Sequence, residues 1–143
     1  MADFKQYDPT KNVFVYQGHV IKGFAPGTFI TAERDNDSFT DEVGADGAVV
    51  RVYSADKRGT ITITLMGEAD SNDILSTLMV SDELTKLAYG NCELSNLNTK
   101  VLIAAENAWV MKPANYEAAD TVSPREWKIR CASIEMFLGG AII

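Results

Sequence analysis

Between Glu33 and Gly47 six carboxylates, Glu33, Asp35, Asp37, Asp41, Glu42 and Asp46, stand against a single base, Arg34. Carboxylates at this density invite two kinds of chemistry, cation binding and general acid catalysis. The spacing argues against the first and a solvated setting against the second. A calcium loop opening at Asp35 would put Phe39 at its fifth position, Thr40 where the sharp turn needs glycine, and Asp46 where a bidentate glutamate belongs. A glycosidase pair needs one acid whose pKa is raised by burial, and acids in a polar segment stay solvated with ordinary values. What remains for the six is a charged surface, either a plain solvated loop or a contact with another molecule.

The other reactive side chains are sparse. His19 is the one histidine of the chain, too little for a Ser-His-Asp or Cys-His arrangement. Cys92 and Cys131 lie far apart and lack the paired spacing of a zinc site; a disulfide between them is open from sequence, and two free, buried thiols are what an intracellular pair leads one to expect. The segment Gly44-Ala-Asp-Gly47 has too few glycines, and no following Lys-Ser/Thr, for a phosphate loop. Trp109 and Trp127 fall inside strand patterns, where an indole packs into a core. No catalytic residue, metal ligand or cofactor site is assigned.

Length and charge narrow the class. A chain of 143 residues suits one domain with a real core, so residues 1–143 are read as a single domain. No apolar run reaches the roughly 20 residues of a membrane helix, and residues 1–6 lack the pattern of a secretory leader, so a protein that stays in the cytosol of the producing cell is expected. The formal charge is −7, most of it in the segment just described, and an acidic surface repels a phosphate backbone.

The elements that position these residues are mostly extended. Residues 12–16 and 19–23 flank Gln17-Gly18 as an opening hairpin, and Pro26-Gly27 turns the chain into a strand at 28–34. The acidic loop 35–47 follows. A hairpin is expected over 48–66, with its turn at 56–59. In its second strand Ile61, Ile63 and Leu65 share one face and Thr60, Thr62 and Thr64 the other. Asp70-Ser-Asn-Asp73 supplies helix-capping side chains ahead of Ile74, Leu75, Leu78 and Met79 at helical spacing. Ser81-Asp-Glu83 restarts or extends that helix through Leu84, Leu87 and Ala88, until Tyr89-Gly90-Asn91 stops it. Residues 100–112 read as one long strand or a bulged one, 113–124 as a polar loop, and 125–138 as a last long strand before Gly139-Gly140 and a short apolar tail. The fold class is therefore mainly β, an antiparallel sandwich or partly closed barrel with one flanking helix. Long strands with few protective prolines leave bare edges, which points to an oligomer.

In order, these pieces resemble a known family. Phe39-Thr40 in an acidic segment, Gly44-x-x-Gly47, Val50-Arg51, Gly59-x-Ile61-Thr-Ile-Thr-Leu65, Ser71-Asn72-Asp73-Ile74-Leu75, Trp127 and the closing Gly139-Gly140 are together similar to the tail tube proteins of contractile-tailed bacteriophages. The likeness runs from about Val13 onward. It implies a small β subunit with a flanking helix, six of which form a ring around a shared inner β-barrel. Rings would stack into a hollow virion tube, assembled in the host bacterial cytoplasm, through which the genome leaves. It further implies a surrounding sheath protein, a tape-measure protein and DNA held in the lumen without specific binding, no membrane partner, no cofactor and no catalysis. Glu33, Asp35, Asp37, Asp41, Glu42 and Asp46 would then contact the next ring or line the lumen. Tubes of type VI secretion and of bacteriocin particles share the fold and form the alternative. A monomeric carbohydrate-binding sandwich using Trp109 or Trp127, and a small hydrolase built on the loop acids, are the rival classes.

Overall fold

The computed structural model describes Phe4 and residues 6–140. Residues 1–3 and 5, within the segment read as lacking a leader, and the apolar tail 141–143 lie outside the described residues. Strands β1 (Asn12–Tyr16) and β2 (His19–Ile21) form the expected opening hairpin. Its two-residue turn holds Gln17 and Gly18 at φ of 49° and 83°, the twist that suits a tight antiparallel turn.

The stretch from β3 (Ile30–Arg34) to β6 (Gly59–Leu65) departs from expectation. The acidic segment is not a loop: it contains β4 (Phe39–Val43), which pairs with β5 (Val49–Tyr53) around Gly44-Ala-Asp-Gly47. The hairpin expected over 48–66 is absent, because β5 pairs with β4 while β6 pairs with β3 and β9. The physical reason is a long two-stranded ribbon. The Asp35 N–H donates to the Arg58 carbonyl at 3.0 Å and the Ser54 N–H to the Ser38 carbonyl at 2.8 Å, which carries the β3–β6 ladder outward into β4–β5. Gly47, at φ 88°, supplies the turn. Gly59 serves another purpose: a Cβ there would lie 2.5 Å from Ile134 Cγ2 and 2.6 Å from the Glu33 carbonyl, so its bare backbone lets three segments converge.

Helix α1 (Ser71–Thr85) is shorter than expected and ends at Lys86, which adopts a left-handed conformation with φ 61°. The Asp70 side chain makes no capping bond. Its neighbours turn inward instead. Ser71 Oγ accepts from the Lys22 N–H at 2.8 Å, and the buried Asn72 donates to the carbonyls of Met66 (2.9 Å) and Ala69 (3.0 Å). Asn72 Oδ1 then accepts the indole N–H of Trp127 at 2.9 Å, locking the start of the helix to a strand 55 positions away.

Strand β7 (Gly90–Asn96), unforeseen in a stretch read as a helix stop, buries Cys92, Leu94 and Asn96. Strand β8 (Val101–Val110) is long and bulged as expected, with Ala105 and Ala108 both buried around an exposed pair. The last strand is broken at Ala132-Ser133 into β9 (Arg125–Cys131) and β10 (Ile134–Leu138), which follow one another along the same side of β8. The main sheet is antiparallel in the order β2-β1-β7-β8-β9-β6-β3, with β10 beside β8. It curls without closing. Residues from both halves, among them Phe14, Tyr16, Ile61, Ile63, Leu65, Trp127 and Ile129, share one core with Leu75 of the helix. A single bridge from Phe24 to Leu65 reaches across the open side. The alternation in β6 is as expected, isoleucines and leucine buried, threonines half-buried. Both cysteines are free and buried.

Candidate assembly surface

The β4–β5 ribbon stands apart from the main sheet, and every residue of its two strands is exposed. Its register places Phe39 opposite Tyr53, Asp41 opposite Arg51 and Val43 opposite Val49 on one face. The second face carries Thr40 opposite Val52 and Glu42 opposite Val50. Apolar side chains therefore occupy both faces, with Val43 71 % and Val49 66 % exposed. Internal support is modest: the Phe39 and Tyr53 rings lie 5.4 Å apart, and the Arg51 guanidinium sits 3.6 Å over the Phe39 ring. A two-stranded hairpin on its own is marginal in water, and apolar groups gathered on a protruding arm mark a contact with another molecule.

Charged side chains fasten the base of this arm. Arg130 on β9 makes a paired contact with both carboxylate oxygens of Asp35. Arg34 donates to the Ile134 carbonyl at 2.8 Å and to Ser38 Oγ at 3.1 Å. Lys57 pairs with Glu135 at 3.1 Å. Across the base, Arg58 hydrogen-bonds Asp56 and holds its carboxyl well below the usual carboxylate range, with Asn36 adding a contact at 2.6 Å. The arm thus leaves the body in a defined direction.

The six acids are separated by this arrangement. Glu33 is exposed on edge strand β3, and Asp35 is engaged at the base of the arm. Asp37 lies in the connection to β4, while Asp41 and Glu42 stand on opposite faces of the arm. Asp46 accepts the Ala48 N–H at 3.1 Å in the turn. They do not converge on one point. The apolar side chains Val43, Val49, Val50, Val52 and Tyr53 were missed as surface features. The signal was present: two β-prone pentapeptides are symmetrically disposed about an Asp-Gly turn.

Elsewhere, among the described residues, the edges at β2 and β3 are unpaired within the sheet, and the end of β10 exposes Phe137 and Leu138. The outer face of β3, β6 and β9 carries Thr31, Thr60, Thr62 and Thr64 with Glu33, Glu126, Lys128 and Arg130. His19 is exposed on β2. Trp127 is core and Trp109 half-buried beside Arg130. The neighbouring Cys131 thiol and burial push the Cys92 thiol up, which suits packing rather than nucleophilic chemistry.

The family profile described as "Bacteriophage PhiTE tail tube protein" matches residues 16–139. The chain belongs to that family. It is also 27 % identical over 124 residues to "Structural protein ORF10" of Pseudomonas phage KPP10, covering 85 % of this chain and 72 % of the phage protein. Among solved structures, a chain in the cryo-EM structure of the anti-feeding prophage cap, described as the AFP tube terminating cap, superposes with a TM-score of 0.66 at 11 % identity. That match covers 96 % of this chain and 94 % of the other. A chain in the extended-state structure of the PVC sheath/tube terminator, an extracellular contractile injection system, gives 0.65 at 12 % identity, covering 96 % and 100 %. At such identities the structural likeness speaks for the fold. This tail tube family member is thus a structural protein of the phage tail and a component of the virion, with the mainly β fold expected of it.

Proposed function

We propose that this single-domain chain is the subunit of a hollow tail tube, six copies forming a ring and rings stacking into the conduit through which the genome leaves. The observation that carries the reading is the β4–β5 arm, exposed along both strands and with apolar side chains on both faces, in a member of a tail tube family. Within a ring, neighbours cover the bare edges of β2 and β3 and the end of β10 by strand pairing. The threonine-lined outer face of β3, β6 and β9 suits a shared inner barrel. Its cations are offset by Glu33, Asp35 and Glu126, so a passing phosphate backbone finds little to hold it. A sheath protein outside, and a tape-measure protein and DNA inside, complete the assembly, which forms in the host cytoplasm.

The acids at Asp41 and Glu42 serve the contact between rings. Asp41→Lys with Glu42→Lys should leave the subunit folded and stop elongation, as seen by electron microscopy. Tubes of normal length that retain DNA in a salt-sensitive way would place these acids in the lumen instead. Normal tubes without retention would reduce them to a solvated surface, where exposed charges contribute less than about 1 kcal/mol.

A further inference from the structure

A cleft of about 690 Å³ lies at the end of the sheet away from the arm, lined by Val13, Val20, Phe24, Phe29 and Met66 with Lys22 at its edge. It is predominantly apolar. We propose that this cleft is the receptor for the β4–β5 arm of a second copy of the chain in the adjoining ring, so that rings stack arm into cleft, head to tail.

Position is the first argument. The arm leaves from the Arg34–Gly59 end of the paired strands β3 and β6. The cleft is built at their other end, from Phe29 just before β3 and Met66 just after β6. Seven residues of β6 separate the two ends by about 20 Å, while five-residue strands give the arm a reach of about 17 Å in the opposite direction. The arm therefore cannot fill the cleft of its own chain. A knob at one pole and a socket at the other form a heterologous contact, which does not close on itself and propagates as an open stack.

Chemistry is the second. Residues 9–32 contain no acid, in a chain that carries 20, and include Lys11 and Lys22. The arm, residues 39–53, carries Asp41, Glu42 and Asp46 against Arg51. A valine-rich knob carrying these acids thus meets an apolar socket with the exposed Lys22 in its lining, and with the exposed Lys11 close by on the segment where Asp8 accepts from Thr10. The valines of the arm and the apolar lining of the cleft supply the contact area that each surface leaves uncovered.

The inference rests on the reading of the arm as an inter-ring contact, and its test keeps the two apart. The full chain is expressed with the remaining tail proteins, and particles are purified and imaged. Asp41→Lys with Glu42→Lys should block elongation, as should Lys11→Glu with Lys22→Glu. Combining all four should restore tubes, because the charges again oppose one another. In elongated tubes, Val49→Cys with Val20→Cys should oxidise to a ladder of covalently linked chains under non-reducing electrophoresis, and either change alone should not. If the arm reversal leaves tubes of normal length, the arm reading fails and this inference with it. If the arm reversal blocks elongation, but the lysine reversals neither block nor rescue and the cysteine pair yields no ladder, the arm reading stands and the cleft is not its receptor.

Discussion

Asn72 shows how much one buried amide can hold. It ties two loop carbonyls to the indole of Trp127, joining the start of the helix to the middle of the sheet. Asn72→Ala leaves the buried indole N–H of Trp127 without its partner, while the Met66 and Ala69 carbonyls keep their bonds from the backbone N–H groups of residues 69 and 72, and should cost about 1–3 kcal/mol in urea unfolding of the unassembled subunit. Trp127→Phe combined with it should cost less than the two changes summed, since the shared bond can be lost only once. Trp127 was legible as core from its strand pattern. Asn72 was not, because Asp70-Ser-Asn-Asp73 is locally indistinguishable from a capping cluster and its decisive partner lies far along the chain. Tyr16 offers a second test. It is fully buried, no hydrogen bond of good geometry reaches its hydroxyl, and burial pushes that hydroxyl from an ordinary 10 up to about 12. A value raised on folding means that stability is fully present below pH 10 and drains away as pH rises through 12. Tyr16→Phe should match or exceed the parent at neutral pH and lose less stability across that alkaline window. Parallel losses in the two proteins would contradict this account.

Strands reveal their faces more readily than their partners. The alternation of β6 was legible residue by residue, since a period of two is local and Ile61, Ile63 and Leu65 all lie in the core. Ile63→Asp should therefore prevent soluble folding, burying an unpaired carboxylate at a cost of several kcal/mol. Thr62→Ala, on the other face, should leave the circular dichroism spectrum and unfolding midpoint nearly unchanged. Equal tolerance of both changes would overturn the face assignment. Pairing, by contrast, is decided between segments. The segment 56–59 looked like a hairpin turn because it ends in glycine, yet Gly59 is there for close packing against Ile134 and the Glu33 carbonyl. The true turn, at Gly44-Ala-Asp-Gly47, was hidden by the acids around it, which made a strand read as a solvated loop. Strand β7 escaped for a related reason: Asn91, Glu93, Ser95 and Asn96 dilute the pattern of Cys92 and Leu94. Gly59→Ala should destabilise the subunit in thermal unfolding, because the atoms its Cβ meets first belong to the buried Ile134 side chain and the Glu33 backbone carbonyl, which cannot withdraw.

At the scale of the whole molecule, the sheet is open where a free-standing barrel would be closed, and an apolar arm extends into solvent. Both features are awkward for a lone subunit and natural for one that meets its neighbours on several sides. The mainly β class, the flanking helix and the bare edges were legible from strand patterning, and the order of short motifs pointed to the tail tube family. The arm was not, since its existence depends on which strands pair. Self-assembly is the central claim, and end-on electron microscopy of the purified full chain tests it most directly. The account predicts hollow, sixfold rings and stacked tubes about 80–100 Å across, the span of six subunits of this size around a channel. A monodisperse monomer at millimolar concentration, or particles with two-fold symmetry alone, would contradict it.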